Sequence, residues 1–183
     1  MQGDHFVEVD YIPSNLRTPK NPETLSCNTI SFPPKDSSVS MTKDLTGKTL
    51  AENPLRIMAY AFTEKNKCLG DLTIPAKETV CFYFLKESIN DKDSKGEFPR
   101  NTCTNSYFHI YEETDGAEKE EFKVCNGKGQ AFMVCSKPEP NEDGPRTIKV
   151  ELVAGNSNMN WNEMVYLNIG LCKCFSKVLK WQF

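Results

Sequence analysis

The chain lacks most of the signatures that would name its work. No stretch approaches the roughly 20 apolar residues that a membrane-spanning helix needs. There is no Gly-x-Ser-x-Gly elbow, no phosphate-cradling glycine loop and no His-Glu-x-x-His helix, so the familiar hydrolase, nucleotide-binding and metalloprotease motifs are missing. Basic charge is not in excess: 22 Lys and Arg stand against 25 Asp and Glu, a net charge of −3. A nucleic-acid binder displaces counterions with a basic surplus, so nucleic acid is set aside as a partner. Helical periodicity is nearly absent, and the only candidates are short, near Thr42 to Glu52 and Phe175 to Trp181. Fifteen asparagines yield no Asn-x-Ser/Thr sequon; Asn66 and Asn101 head Asn-x-Cys triplets, which are not the acceptor pattern.

Histidine is scarce too. Only His5 and His109 occur, and His5 lies close to a chain end, so a two-histidine mechanism has little to build on. The first residues, Met1-Gln2-Gly3-Asp4-His5, have neither the basic nor the apolar region of a secretory leader.

Cysteine, by contrast, is plentiful. Cys27, Cys68, Cys81, Cys103, Cys125, Cys135, Cys172 and Cys174 form an even set of eight in 183 residues. That density predicts disulfides, and with them folding in an oxidising compartment. The missing leader conflicts with this, and the expectation is that a natural leader has been removed and the protein is extracellular. Cys172-Lys173-Cys174 places two sulfurs on one side of a strand, where each is expected to reach a neighbouring strand in its own cystine. A zinc site made with other cysteines or His109 is the competing reading. It is weak because structural zinc sites show two paired ligand clusters, so no metal and no cofactor is expected.

The remaining pattern is that of strands. Ile148, Val150 and Leu152 alternate with Lys149 and Glu151, which makes a half-buried strand with one wet side. Val7, Val9 and Tyr11 alternate with Glu8 and Asp10 in the same way. Ile57 to Phe62, Val80 to Leu85, Tyr107 to Tyr111 and Val165 to Leu171 are apolar on both faces and rich in β-branched and aromatic residues, as central strands are. Asn126-Gly127 between Phe122-to-Cys125 and Gln130-to-Val134 predicts a hairpin. In that hairpin Cys125 and Cys135 stand too far apart to bond. The fold expected is mainly β: a single-domain antiparallel sandwich or barrel stabilised by disulfides, with residues 1–54 a loop-rich N-terminal arm and 55–183 the core strands.

Two surfaces stand out as binding candidates. The stretch from Glu112 to Glu121 carries Glu112, Glu113 and Asp115 in a dense negative run, read as a patch between two strands that would steer a basic partner. The asparagine-rich loop Asn156 to Asn162 sets Trp161 among Asn158, Asn160 and Asn162, the composition of a surface that recognises protein or sugar. Asp91 to Gly96 echoes a calcium loop but puts Lys95 at the fifth position and Thr102 at the twelfth, so a solvated loop is expected. Phe175 to Phe183 mixes aromatics with Lys177 and Lys180 and is read as a docked terminal element.

Together these features predict a secreted, non-enzymatic binding protein of effector, immune-modulator or adhesion type, whose partner is an extracellular protein or glycan. One alternative is a carrier with an apolar ligand inside a barrel. The other is a nuclease-like hydrolase built on His109, with Glu112 or Glu113 as its acid.

Overall fold

The computed structural model describes residues 6–9, 11–26, 38–60, 67–89, 91, 103–114, 117–127, 130–136, 143–153 and 164–172. Among them are eleven strands: β1 (Phe6–Val9), β2 (Glu23–Ser26), β3 (Ser38–Asp44), β4 (Leu55–Tyr60), β5 (Lys67–Ile74), β6 (Val80–Glu87), β7 (Tyr107–Thr114), β8 (Ala117–Val124), β9 (Phe132–Ser136), β10 (Arg146–Val153) and β11 (Met164–Leu171). One 3-10 turn, Ser14–Leu16, lies between β1 and β2. No α-helix occurs among the described residues, so the helix expected near Thr42 to Glu52 is not formed. Its first residues continue β3, and turns follow from Leu45. Asp44 caps this exit, accepting from Thr46 N and Thr46 Oγ1.

The strands form two sheets, ordered β1-β9-β6-β11-β4-β2 and β3-β5-β10-β7-β8. All pairings are antiparallel except β2 on β4 and β3 on β5. The result is a sandwich of two mixed sheets, and the barrel form of the expectation is not realised. The segment read as a loop-rich arm thus supplies three edge strands, β1 and β2 at the two edges of the six-stranded sheet and β3 at one edge of the five-stranded sheet.

Alternation sets the interior. Cys68, Leu72 and Ile74 of β5, Phe108 and Ile110 of β7 and Ile148, Val150 and Leu152 of β10 face inward from the five-stranded sheet. Leu55, Ile57, Val80, Phe82, Phe84, Val165, Leu167 and Ile169 meet them from the six-stranded one. Phe84 stacks on Phe132 at 4.6 Å and meets Phe108 edge-on at 5.5 Å, which joins the two layers. The apolar-on-both-faces runs were read as central strands, and β6 and β11 are central in their sheet.

The expected hairpin at Asn126-Gly127 is not formed. β8 belongs to the five-stranded sheet and β9 to the six-stranded one, so this turn carries the chain between layers. Asn126 does take the positive φ expected of it, 55°, but its side chain is used elsewhere. Its Oδ1 accepts from Asp91 N at 2.7 Å and its Nδ2 donates to Asp91 O at 2.7 Å. Gly127 donates its N–H to Glu87 Oε2, and a Cβ there would collide with that carboxylate. The hairpin among the described residues is β7–β8, whose pairing runs to Thr114 opposite Ala117. The sequence between those two residues, Asp115-Gly116, is as good a turn signal as Asn126-Gly127.

Asp91, which opens the stretch read as a solvated loop, is in fact buried, as is Glu87 at the end of β6. Asp91 accepts backbone N–H bonds from Thr104, Asn105 and Ser106 at 2.8 to 3.0 Å. Glu87 accepts from Ile89 N at 2.7 Å as well as from Gly127. Burial of a charge is tolerated where its oxygens are filled by donors.

Disulfides join Cys81 to Cys135 and Cys103 to Cys125, and Cys68 is also disulfide-bonded. Each typically contributes about 2–4 kcal/mol by restricting the unfolded chain. Cys125 and Cys135 are indeed not joined, although the reason is their placement on different sheets and not a hairpin. Cys172 departs from the expected pattern, for it is a buried thiol whose Sγ points to Gly170 O at 3.8 Å. Cys27 and Cys174 lie outside the described residues.

At one flank the edges of the two sheets are linked through charge. Glu23 of β2 bonds Lys43 of β3 and Lys48, each at 2.6 Å. The Lys43 hydrogen bond, then that of Lys48, lowers the Glu23 carboxyl to about 2 from 4.5. A lowered carboxylate stabilises the fold fully above about pH 4.5, and the gain is lost as pH falls toward 2. With 38% of the side chain exposed, solvent screening holds the contribution to about 1 kcal/mol or less. Denaturation midpoints of wild type and Glu23→Gln are therefore expected to differ at pH 7 and to converge by pH 2. A gap that stays constant across that range would refute the assignment.

Candidate functional site

The outer faces of the two sheets differ in kind. That of the six-stranded sheet is covered by the chain itself. Leu16 and Leu50 pack on Cys81, Tyr83, Met133, Cys135 and Cys172, with Ile12 and Ala51 against them. Gly170 permits this cover, since a Cβ there would lie 2.6 Å from Leu50 N. Leu50 N and Lys48 O bond the Leu171 backbone beside it.

The outer face of the five-stranded sheet carries polar and aromatic side chains in rows set by register. Thr42, Asp71, Lys149 and Tyr111 are cross-strand partners in one row. Ser40, Leu69, Glu151, His109 and Lys123 form the next, and Lys67, Val153 and Tyr107 a third. The same alternation that turns Ile148, Val150 and Leu152 inward turns Lys149 and Glu151 outward.

His109 is the hub. Its ring stacks on Tyr111 at 4.4 Å and 23° and meets Tyr107 edge-on at 6.0 Å. Its Nδ1 lies 3.0 Å from Glu151 Oε1. Lys123 Nζ sits 4.7 Å from the Tyr107 ring centroid, within cation–π range. The hydrogen bond from His109 holds the Glu151 carboxyl below its ordinary range despite partial burial, which opposes that shift. Although on the outward side of its strand, His109 is only 2% exposed. It thus braces two half-buried tyrosines. Beside Tyr111, a depression of about 200 Å³ is lined by Ser40, Thr42, Leu69, Asp71 and Lys149.

The residues proposed from the sequence fare differently. Glu112 faces the opposite way to His109, buried at the end of the sandwich, where Arg146 Nη1 donates to its Oε1 at 3.1 Å. It is neither a patch residue nor the acid beside the histidine, because even positions of β7 point inward. The partner of His109 is Glu151, a strand away. Glu113 lies on β7 opposite Glu118, so the run read as a loop between strands is mostly strand. Asp115, Asn158, Asn160, Trp161 and Asn162 lie outside the described residues, as does the 173–183 segment. The zinc reading that joined Cys172 to His109 fails, since the two stand on the outer faces of opposite sheets. Among the described residues, the one grouping at metal-ligand spacing is Cys81, Cys135 and Cys172, two of which form a disulfide.

Glu151, Lys149 and Asp71 were missed as site residues. Their outward direction is readable from alternation, but their convergence on Tyr111 and His109 depends on register between strands distant in sequence. Comparison with known proteins adds nothing to this picture: no family and no curated protein matches the chain.

Proposed function

We propose that the protein is a non-enzymatic binding module. It would engage an extracellular protein or glycan through the outer face of the five-stranded sheet, in the manner of an effector, immune modulator or adhesion domain. The observation that carries this reading is the contrast between the two outer faces: one is packed under the chain's own leucines, while the other presents Tyr107 and Tyr111, braced by His109, beside Asp71 and Lys149. Tyrosine combines a large apolar area with a polar tip and is enriched where proteins meet partners. The disulfides support an oxidising location, and no helix among the described residues is long and apolar enough to cross a membrane.

The alternatives draw less support. A general base must reach its substrate, and the burial of His109 between two tyrosines and Glu151 suits a brace better than a base. A carrier needs a closed, hollow barrel, whereas two open sheets meet here through a core filled by Phe82, Phe84, Phe108 and their neighbours.

Immobilised wild-type protein is expected to retain a partner from extracellular fluid that Tyr111→Ala with Lys149→Ala does not. The expected loss of affinity is at least about tenfold, the scale of a truncated aromatic anchor. Because both side chains are on the wet face, the melting temperature should change little. Equal retention by the two proteins would remove this surface from consideration.

A further inference from the structure

Cys172 lies directly after β11, and its N–H donates to Thr79 O at 3.0 Å, continuing the ladder toward β6. Gly170 is the cross-strand partner of Cys81, so Cys172 is diagonal to Cys81 on the same outer face. Cys81 is in turn directly opposite Cys135 on β9 and bonded to it. The three sulfurs all lie within 4.8 Å of one another. All three residues are buried in the cluster beneath Leu16 and Leu50.

We propose that this trio is an internal disulfide relay in which Cys172 exchanges with the Cys81–Cys135 bond. The Cys172 thiol gives up its proton to solvent, and the resulting thiolate attacks Cys81 Sγ. A Cys81–Cys172 bond forms as the Cys81–Cys135 bond breaks, and the electron pair leaves on Cys135, which takes up a proton. One sulfur is oxidised and one reduced, so no external oxidant enters. Attack depends on which sulfur is within reach and on the fraction of thiolate. A sulfur already held within 4.8 Å of both sulfurs of the bond has a large advantage over a thiol in solution.

The exchange has a structural consequence. In one state the cross-link ties β6 to β9, which carries the edge strand β1. In the other it ties β6 to the residue following β11, and the β1–β9 edge loses its covalent anchor.

The test is non-reducing peptide mapping after acid quenching and alkylation in denaturant. In Cys135→Ser, a Cys81–Cys172 disulfide is expected, with Cys103–Cys125 retained as the mark of a folded chain. Labelling of both Cys81 and Cys172 while Cys103–Cys125 is intact would overturn the proposal. If that variant does not fold, the wild type decides. Held native at mildly alkaline pH before quenching, it should yield peptides linked both as Cys81–Cys135 and as Cys81–Cys172, with label appearing on Cys135. In Cys172→Ser the Cys135 label should be lost. Wild-type maps that contain Cys81–Cys135 alone at every time point would equally overturn it.

Discussion

Replacing Asp91 with alanine is expected to destabilise the fold by about 2–4 kcal/mol, because a buried donor stripped of its acceptor costs about 1–3 kcal/mol and partly exposed ones less. One buried donor, the N–H of Ser106, and two donors of more exposed residues, the N–H groups of Thr104 and Asn105, depend on this carboxylate. They lie just after Cys103 and lead into β7. The backbone of Asp91 is itself clamped by Asn126, whose own N–H donates to Ile89 O at 2.9 Å. The carboxylate therefore orders the crossing between sheets on both sides of the Cys103–Cys125 bond. Asp91→Asn keeps one acceptor oxygen and should lose less than the alanine variant. Urea denaturation midpoints give both values. A loss below about 1 kcal/mol for alanine would mean that water replaces the carboxylate, contrary to its burial.

The second large effect is expected at the other end of the sandwich. Arg146 donates to Glu112 Oε1, Glu78 O and Ser136 O at 3.1 to 3.3 Å. Its contacts thus reach β7, the turn before β6 and the end of β9. Both ionic side chains are only 11% exposed. Removing one partner from a buried pair leaves the other charged and uncompensated, at a cost of about 3–5 kcal/mol. Arg146→Met and Glu112→Leu are each expected to show a loss of that order. Made together, they should recover most of it, since an apolar pair of similar volume is often neutral. A double variant as unstable as the sum of the two singles would show that the bonds to Glu78 O and Ser136 O matter more than the ion pair.

Much of the strand content was legible because it rests on local pattern. The alternation of Ile148, Val150 and Leu152 with Lys149 and Glu151 marks a strand and its faces without reference to anything distant. The run from Val80 to Leu85 has no wet side, and β6 lies between two other strands with both of its faces covered. What failed was pairing. Asn126 adopts the left-handed backbone its type suggests, yet the strands it joins belong to different layers, and nothing local to the turn reveals that. Glu112 belongs to an acidic run in the sequence, but it points inward because it shares parity with Phe108 and Ile110. Asp91 opens a stretch with the composition of a solvated loop, whereas its burial is made possible by N–H donors far along the chain. The candidate surface was obscured for the same reason. His109 shares strand parity with Tyr107 and Tyr111 in the sequence, but Glu151 reaches it only through the β7–β10 register.

That dependence on distant partners has a consequence for how the chain is made. Phe6 to Val9 pair with Met133 to Ser136, Glu23 to Ser26 with Leu55 to Met58, and Ser38 to Asp44 with Lys67 to Thr73. Each early strand therefore leaves the ribosome before the strand that completes its hydrogen bonds exists, and β1 waits longest. Long-range pairing of this kind slows folding and leaves strand edges open to mispairing in the interval. The nascent protein must carry its first strands unmatched through most of translation, and the six-stranded sheet closes only once β9 and β11 have arrived.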